Sequence, residues 1–537
     1  MKALLHRMVP AADGVGLATD VYLPAGPGPF PTVLVRTPYH RRGMQGQAHP
    51  FVARGYAYVV QDCRGKYDSE GSFTPLVDEA ADGHAALDWT AEQSWCNGRI
   101  GMWGRSYLGI VQMPAAAQGH EALKCIAPSV APGSYFRDWL RYDGCFALAN
   151  AVAWSLTHAT CRTQPAMDHF DWGELQRLDG VDVIAERVGF STPALRQWSE
   201  HDTYDDFWRG LDWDHLYDSI DLSGFHSGGW FDHLTRTQYE SFGALRGDQK
   251  LLIGPWGHKT VSGTGPAHTH YGDWEFGTAA DLDLLEAELQ FFDAHLRDVD
   301  DGYADLPPVR VFLMGENRWV SSSDWPPPDA HEQAWFLGAG KQLTREAPTG
   351  DGEDTYRYDP RDPVPTRGGS LYWGLDHVGP VDVRSTQQRP DVLSYLSEVL
   401  SAPMTIIGDV SLELHVATDA EDTDFIARLC VEGEDGAVIC LTQGQQRCRF
   451  RNDSCRPEVM PPETATCLQL PMGQTAYTFA AGSRLVLLVT SSDFPRILPH
   501  RNRLAPLWEG DPVIATQHVL YGPVTSSHLI LPVIEDI

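Results

Sequence analysis

The sequence predicts an α/β domain built on a parallel sheet, carrying an inserted helical cap and followed by an all-β jelly roll, and three observations support this. Over residues 1–133 short apolar runs of strand length alternate with amphipathic helical patterns. The same alternation returns over 221–318, as a parallel sheet covered by helices on both faces requires. Between them, residues 134–220 carry Trp139, Tyr142, Trp154, Trp172, Trp198, Trp208 and Trp213 at helix-like spacing, without strand alternation. From 319 to 537 short alternating segments are separated by Gly, Pro and Asp, the texture of a β-sandwich. A chain of 537 residues suits such a division, because single cores seldom grow past about 250–300 residues.

The elements follow in order. Asp20-Val21-Tyr22-Leu23-Pro24 reads as an edge strand, and Thr32-Val33-Leu34-Val35-Arg36-Thr37 as a strand buried on both faces. A third strand over 56–62 runs into a polar loop containing Asp62, Arg64 and Gly65. A helix through Ala81, Ala85, Leu87 and Trp89 leads to the buried strand Ile100-Gly101-Met102-Trp103. There Gly104 permits an abrupt turn, Ser106 stands at its apex, and a helix opens at Tyr107. Pro114 must kink or end that helix, since it lacks an N–H and its ring crowds the preceding turn. After the cap, strand-like runs end in Gly229-Trp230-Phe231-Asp232 and in Gly254-Pro255-Trp256-Gly257-His258. A helix over 279–296, apolar at Leu282, Leu285, Leu289, Phe292 and Leu296, and a strand over 309–313 close the domain. In the C-terminal part, 411–416 alternates, and 425–431 returns across Glu434-Asp435-Gly436 as 437–441.

Composition narrows the function classes. Acidic residues outnumber basic ones 72 to 41, for a formal net charge of −31, which disfavours binding to nucleic acid or anionic lipid. The N-terminal residues lack an apolar stretch of signal-peptide length, and no run approaches the ~18–20 residues of a membrane span. A cytoplasmic protein is therefore expected. Ten cysteines without a C-x-x-C pair suggest free thiols in a reducing compartment and neither a disulfide framework nor a metal site. Cys430 and Cys440 are expected to face each other across a hairpin as free thiols.

The chemistry concentrates at G-x-S-Y-x-G, Gly104 to Gly109. A hydroxyl at the apex of a strand-turn-helix stands above the sheet, with the next backbone N–H facing a developing oxyanion. Serine is a poor nucleophile unless a base takes its proton and a carboxylate orients that base. Ser106, Asp232 and His258 occur in the chain order of an α/β-hydrolase, each just beyond a strand. On local sequence Tyr39 is as easily a packing residue as a functional one, and Asp62 and Arg64 read as an ion-paired brace for the turn.

These pieces carry a resemblance. Arg36-Thr37-Pro38-Tyr39, the Asp62-x-Arg64-Gly65 loop with Ser69-x-Gly71, Trp95-Cys96-Asn97-Gly98-Arg99-Ile100-Gly101-Met102 with the serine turn, and the Asp232 and His258 motifs resemble the cocaine esterase and X-Pro dipeptidyl-peptidase group of serine hydrolases, which includes α-amino acid ester hydrolases and glutaryl acylases. The resemblance implies an α/β-hydrolase domain with cap and jelly roll, acting without a cofactor. It implies Ser106 as nucleophile, His258 as base, Asp232 as its orienting carboxylate, and Tyr39 with the Tyr107 N–H as oxyanion donors. Trp154, Trp230, Phe231 and Leu234 are the candidate pocket residues. The expected partner is a small-molecule ester or, less favoured, an amide, and a homodimer is the expected assembly if one forms. Acyl transfer, X-Pro peptide cleavage and a carbohydrate-binding or scaffold role are the competing readings. Members acting on amino-acid esters place acidic residues close after the aspartate. Here His233, Leu234, Thr235 and Arg236 follow, so a neutral acyl group is expected unless Asp202 or Asp205 of the cap supplies the charge.

Overall fold

In the computed structural model, which describes residues 1–159, 162–163, 170–175, 180–189, 193–261, 268–299, 302–371 and 377–535, the first half of the chain builds one ten-stranded sheet. Its strands are β1 (Lys2–Pro10), β2 (Gly16–Leu23), β3 (Phe30–Thr37), β4 (Ala57–Asp62), β5 (Cys96–Arg105), β6 (Leu123–Ser129), β7 (Ser223–Gly229), β8 (Gln249–Gly254), β9 (Val309–Leu313) and β10 (Arg318–Ser322). Their order is β1-β2-β4-β3-β5-β6-β7-β8-β9-β10. From β4 to β9 all neighbours are parallel, and antiparallel pairs finish both edges. The chain leaves β3 toward β4 but returns to place β5 on the other flank of β3. That reversal opens a crevice beyond the carboxyl ends of β3 and β5, where ligands bind in sheets of this kind.

Several sequence expectations need correction. The segment expected as an edge strand lies inside the sheet: β2 is buried along its whole length, and β1, mostly exposed, is the edge. The alternation from Trp319 does not begin the β domain, because Arg318–Ser322 pairs with β9. The helix after Ser106 is split into Tyr107–Ile110 and Gln112–Ala116, with Pro114 inside the second piece. The long helix starts at Leu284, after a cap in which the Asp283 side chain accepts from the Glu286 N–H, and runs to Arg297. Its expected apolar face packs under the sheet through Leu289, Phe292 and Leu296. Between β6 and β7 the described residues are largely helical, with one short hairpin among them, Arg141–Tyr142 against Cys145–Phe146.

From His331 onward, strands of a second, eleven-stranded sheet pack around an apolar core. Strand Met404–Thr418 shows the governing alternation: Leu412, Leu414 and Val416 are fully buried, while Ser411, Glu413 and His415 face outward. Cys430 and Cys440 are register partners, and both are free thiols. The two sheets are joined directly by backbone bonds and shared core. Met314 donates to the Ala476 carbonyl and receives from Thr478, and one continuous core holds Trp230, Phe231 and Val311 together with Leu414 and Leu470.

Buried charge braces the crevice. Arg36, at the end of β3, is fully buried and bonds the Glu79 carboxylate at 2.6 Å. Glu79 in turn accepts the Tyr107 hydroxyl at 2.9 Å. Arg41 is likewise buried against Asp62 and Asp20, and its N–H donates to Asp62 Oδ1 at 2.6 Å. Arg64 pairs with Asp13 and Asp82, so the loop expected to brace the turn is an ion-paired one. Removing one partner of a buried pair strands the other, at about 3–5 kcal/mol. Arg36→Leu should destabilise the protein by that amount in urea unfolding and lower activity with it; a loss below about 1 kcal/mol would show that the network is dispensable.

Candidate active site

The turn after β5 is a strained corner. Ser106 has φ 58° and ψ −128°, a region costing about 1–3 kcal/mol for a residue with a side chain. Its N–H is tied to the Ser129 carbonyl at 2.9 Å. The flanking glycines are sterically required. A Cβ on Gly104, whose φ is 147°, would lie 2.4 Å from Leu108 Cβ, and one on Gly109 would lie 2.9 Å from Ala131 Cβ. The spacing G-x-S-Y-x-G thus reflects two close approaches, strand to helix and helix to β6. Glu288 from the long helix supports the corner, accepting from Trp103 Nε1 at 2.7 Å and from Ser129 Oγ at 3.2 Å.

Beyond neighbouring strands β7 and β8, Asp232 and His258 meet Ser106. His258 Nε2 stands 3.2 Å from Ser106 Oγ, and its Nδ1 stands 2.7 Å from Asp232 Oδ2. A carboxylate on Nδ1 keeps the proton there and leaves Nε2 as the acceptor for the serine hydroxyl. The other carboxylate oxygen, Oδ1, accepts the Leu234 N–H at 2.6 Å. Burial alone would raise the Asp232 pKa, but the charge and hydrogen bond of His258 hold it below the ordinary range, so the residue is ionised. His233 stacks obliquely on His258 at 5.1 Å. Burial pushes its pKa down to about 3, making it a neutral neighbour. Asp232, His233 and His258 bring ligand-type atoms within 4.8 Å of one another. Both ring nitrogens of His258 are already engaged by Asp232 and Ser106, an arrangement suited to proton transfer more than to metal ligation.

Tyr39 and Tyr107 lie on the two sides of the crevice, following β3 and β5. Tyr107 opens its helix, so its N–H has no intrahelical acceptor. Trp154, expected to touch substrate, is buried and stacks on the Tyr107 ring at 5.5 Å and 13°. Its indole N–H donates to the Tyr39 hydroxyl oxygen at 3.4 Å. It therefore ties the two tyrosines together. Trp230 lines the cavity that Asp232 and His233 also border. Its N–H is given to the Phe312 carbonyl at 2.7 Å, and it stacks on Tyr239 within the core shared by both sheets. Phe231 is 1% exposed and packs on Tyr271. Leu234 joins the apolar cluster of Tyr107, Trp139 and Trp154.

Asp202 and Asp205, from the segment between β6 and β7, have other partners. Asp205 caps the helix Asp206–Arg209 and bonds His201 Nδ1 at 2.6 Å, and Asp202 faces Arg449 at 3.7 Å. Behind Asp232 and His233 a polar cavity of about 120 Å³ opens between the two sheets. Its carboxylates are matched: Asp138 lies 2.8 Å from Arg137, and Asp143 lies 3.6 Å from Arg236. The Arg36-Glu79 bond, the Trp154 tether and the His233 neighbour escaped sequence reading, because each joins residues remote in the chain or buried by the β domain.

The sheet and the serine corner define the class, an α/β-type serine ester hydrolase. Residues 13–260 match the X-Pro dipeptidyl-peptidase (S15 family) model, and 301–530 match the C-terminal non-catalytic domain of X-Pro dipeptidyl-peptidases. The chain is 34% identical to cocaine esterase of Rhodococcus sp. (strain MB1 Bresler) across 98% of each sequence. Among solved structures it resembles an α-amino acid ester hydrolase (TM-score 0.85, 27% identity, 99% of this chain and 96% of the other). It also resembles an aminopeptidase from a marine sediment Thaumarchaeota archaeon (TM-score 0.86, 25% identity, 99% and 96%). The chain belongs to the cocaine esterase and X-Pro dipeptidyl-peptidase group of α/β-hydrolases.

Burial around the site sets a pH dependence. His226 on β7, bonded to Gln249 and Ser241, is pushed by burial from 6.5 to about 4, and His233 from 6.5 to about 3. Below 6.5 the unfolded chain takes up protons that the native one refuses, so stability falls with pH until the native values are reached. Each group contributes up to about 1.4 kcal/mol per pH unit. His226→Gln should flatten the decline between 6.5 and about 4 in urea unfolding at a series of pH values; an unchanged slope would show that His226 is already charged in the native protein.

Proposed function

We propose that this serine hydrolase cleaves small-molecule carboxylic esters with neutral acyl groups through an acyl-Ser106 intermediate. The observation that carries the reading is the continuous relay from Ser106 Oγ to His258 Nε2 at 3.2 Å and from His258 Nδ1 to Asp232 at 2.7 Å. His258 takes the serine proton as Oγ attacks the ester carbonyl. The resulting oxyanion is held by the Tyr107 N–H and the Tyr39 hydroxyl, whose oxygen is already engaged by the Trp154 donor. His258 then protonates the leaving alcohol, and the same base activates water to release the acid. The helical segment between β6 and β7 serves as a cap over the crevice, and the C-terminal domain is read as a jelly roll. Nine free cysteines among the described residues fit a reducing, cytoplasmic setting.

The neutral acyl preference rests on the surroundings of Asp232. An ammonium placed beside Leu234 would lose its hydration uncompensated, at several kcal/mol. Asp202 and Asp205 are held by Arg449 and by the His201 contact and helix cap.

Ser106→Ala should abolish turnover while leaving thermal unfolding intact, because no other atom forms the acyl-enzyme. Tyr39→Phe should lower kcat by roughly 10²–10³ with KM little changed. Trp154→Phe, which keeps the stacking but deletes the donor, should cost about 1 kcal/mol, roughly fivefold in kcat. Wild-type-like turnover in the serine variant would end the proposal, and a loss below threefold in Tyr39→Phe would return that residue to packing. Matched p-nitrophenyl esters with and without an α-amino group check the acyl preference. A tenfold advantage for the amino ester, or cleavage of an X-Pro anilide, would place the chain with its peptidase relatives instead.

A further inference from the structure

The outward face of the β domain carries a side-chain cluster that the ester chemistry does not use. Glu413 and His415 stand two residues apart on strand Met404–Thr418, so both point away from the core that buries Leu412, Leu414 and Val416. The antiparallel neighbour, Thr466–Phe479, places Cys467 opposite His415 and Gln469 opposite Glu413. One carboxylate oxygen, one imidazole nitrogen and the thiol sulfur all lie within 4.8 Å of one another. Three ligand classes converge on one rigid patch, at cross-strand positions fixed by the register.

The geometry suits a tetrahedral ion. Ligand nitrogen and oxygen atoms about 2.0–2.1 Å from a tetrahedral zinc stand roughly 3.3 Å apart. His415 Nε2 and Glu413 Oε1 are 3.3 Å apart, a long distance for a hydrogen bond between them. Gln469 holds the set from behind. Its amide donates to Glu413 Oε2 at 2.9 Å, leaving Oε1 turned toward His415, and also faces Cys467 Sγ at 3.7 Å. Such outer partners orient metal ligands and tune their affinity. His528, the register partner of Glu413 on the other flank, has its Nδ1 on the Ser526 carbonyl at 2.7 Å.

We propose that Glu413, His415 and Cys467 form a surface site for a borderline-soft divalent transition ion of the zinc class, with water completing its coordination. Thiolate and imidazole select such ions over magnesium or calcium, and the net charge of −31 raises the local cation concentration. The thiolate, not the thiol, is the form of Cys467 that would hold the ion. Binding therefore exchanges the thiol S–H bond for a metal–sulfur bond, and the released proton passes to the buffer.

The test uses the full-length protein after chelator dialysis, titrated with Co²⁺ alone. The expected result is one equivalent bound, with a sulfur-to-cobalt charge-transfer band and the intense visible bands of a four-coordinate ion, both removed by competing Zn²⁺. Cys467→Ser should abolish the charge-transfer band, and His415→Gln should weaken binding. Gln469→Leu should lower affinity about 10–100-fold. Zn²⁺ should also slow alkylation of Cys467 by iodoacetamide, read by peptide mass spectrometry on the wild-type chain, a measurement that needs no variant to fold. Absence of the band in folded protein, its persistence in Cys467→Ser, or alkylation unaffected by Zn²⁺ would each overturn the proposal.

Discussion

The positive φ of Ser106 is the constraint on which the rest of the site depends. A serine does not hold that backbone conformation unaided; it is kept there by what surrounds it. The Ser129 carbonyl fixes its N–H, two glycines let strand and helix close around it, and the Arg36-Glu79-Tyr107 chain of hydrogen bonds anchors the helix that follows. Ser129, Arg36 and Glu79 are buried and reach the corner from β6, β3 and the helix Glu79–Ala91. The corner is thus a product of packing by β3, β5, β6 and the helix Glu79–Ala91, and not of its own six residues alone.

Much of this was legible in the sequence because it is local. Strand-length apolar runs marked the parallel sheet, and glycine, serine and strand-end placement marked Ser106, Asp232 and His258, whose relative positions fit a relay. Tyr39 was ambiguous on residues alone and was singled out only through resemblance. What could not be read was tertiary. The placement of 16–23 inside the sheet depends on β1 covering its edge, and 319–322 reads as part of the β domain because a half-buried antiparallel edge strand alternates just as a sandwich strand does. Trp230 and Trp154 look alike as aromatics near functional residues. Only the fold distinguishes one buried between sheets from one lying across Tyr39 and Tyr107.

Charge in the molecule is arranged by matching. The cavity behind Asp232 contains acids and arginines in comparable numbers, paired within the segment between β6 and β7 and across to the helix Arg236–Ala244. An interior of that kind screens Asp232 from additional net charge and leaves its interaction with His258 as the dominant local one. The neutrality of His233 serves the same end, since a second imidazolium there would compete for the carboxylate.

The joining of the two sheets bears on biosynthesis. Ser106, Asp232 and His258 have all been translated by residue 258, but the walls behind Asp232 include Gln443, Met472 and Arg496. Trp230, two residues before Asp232, is enclosed by a core that draws on strands near the end of the chain. A chain synthesised only to residue 258 thus holds all three side chains before the wall behind Asp232 and the core around Trp230 are complete. A chain cut before residue 440 would leave the cavity behind Asp232 and the Trp230 ring open to water.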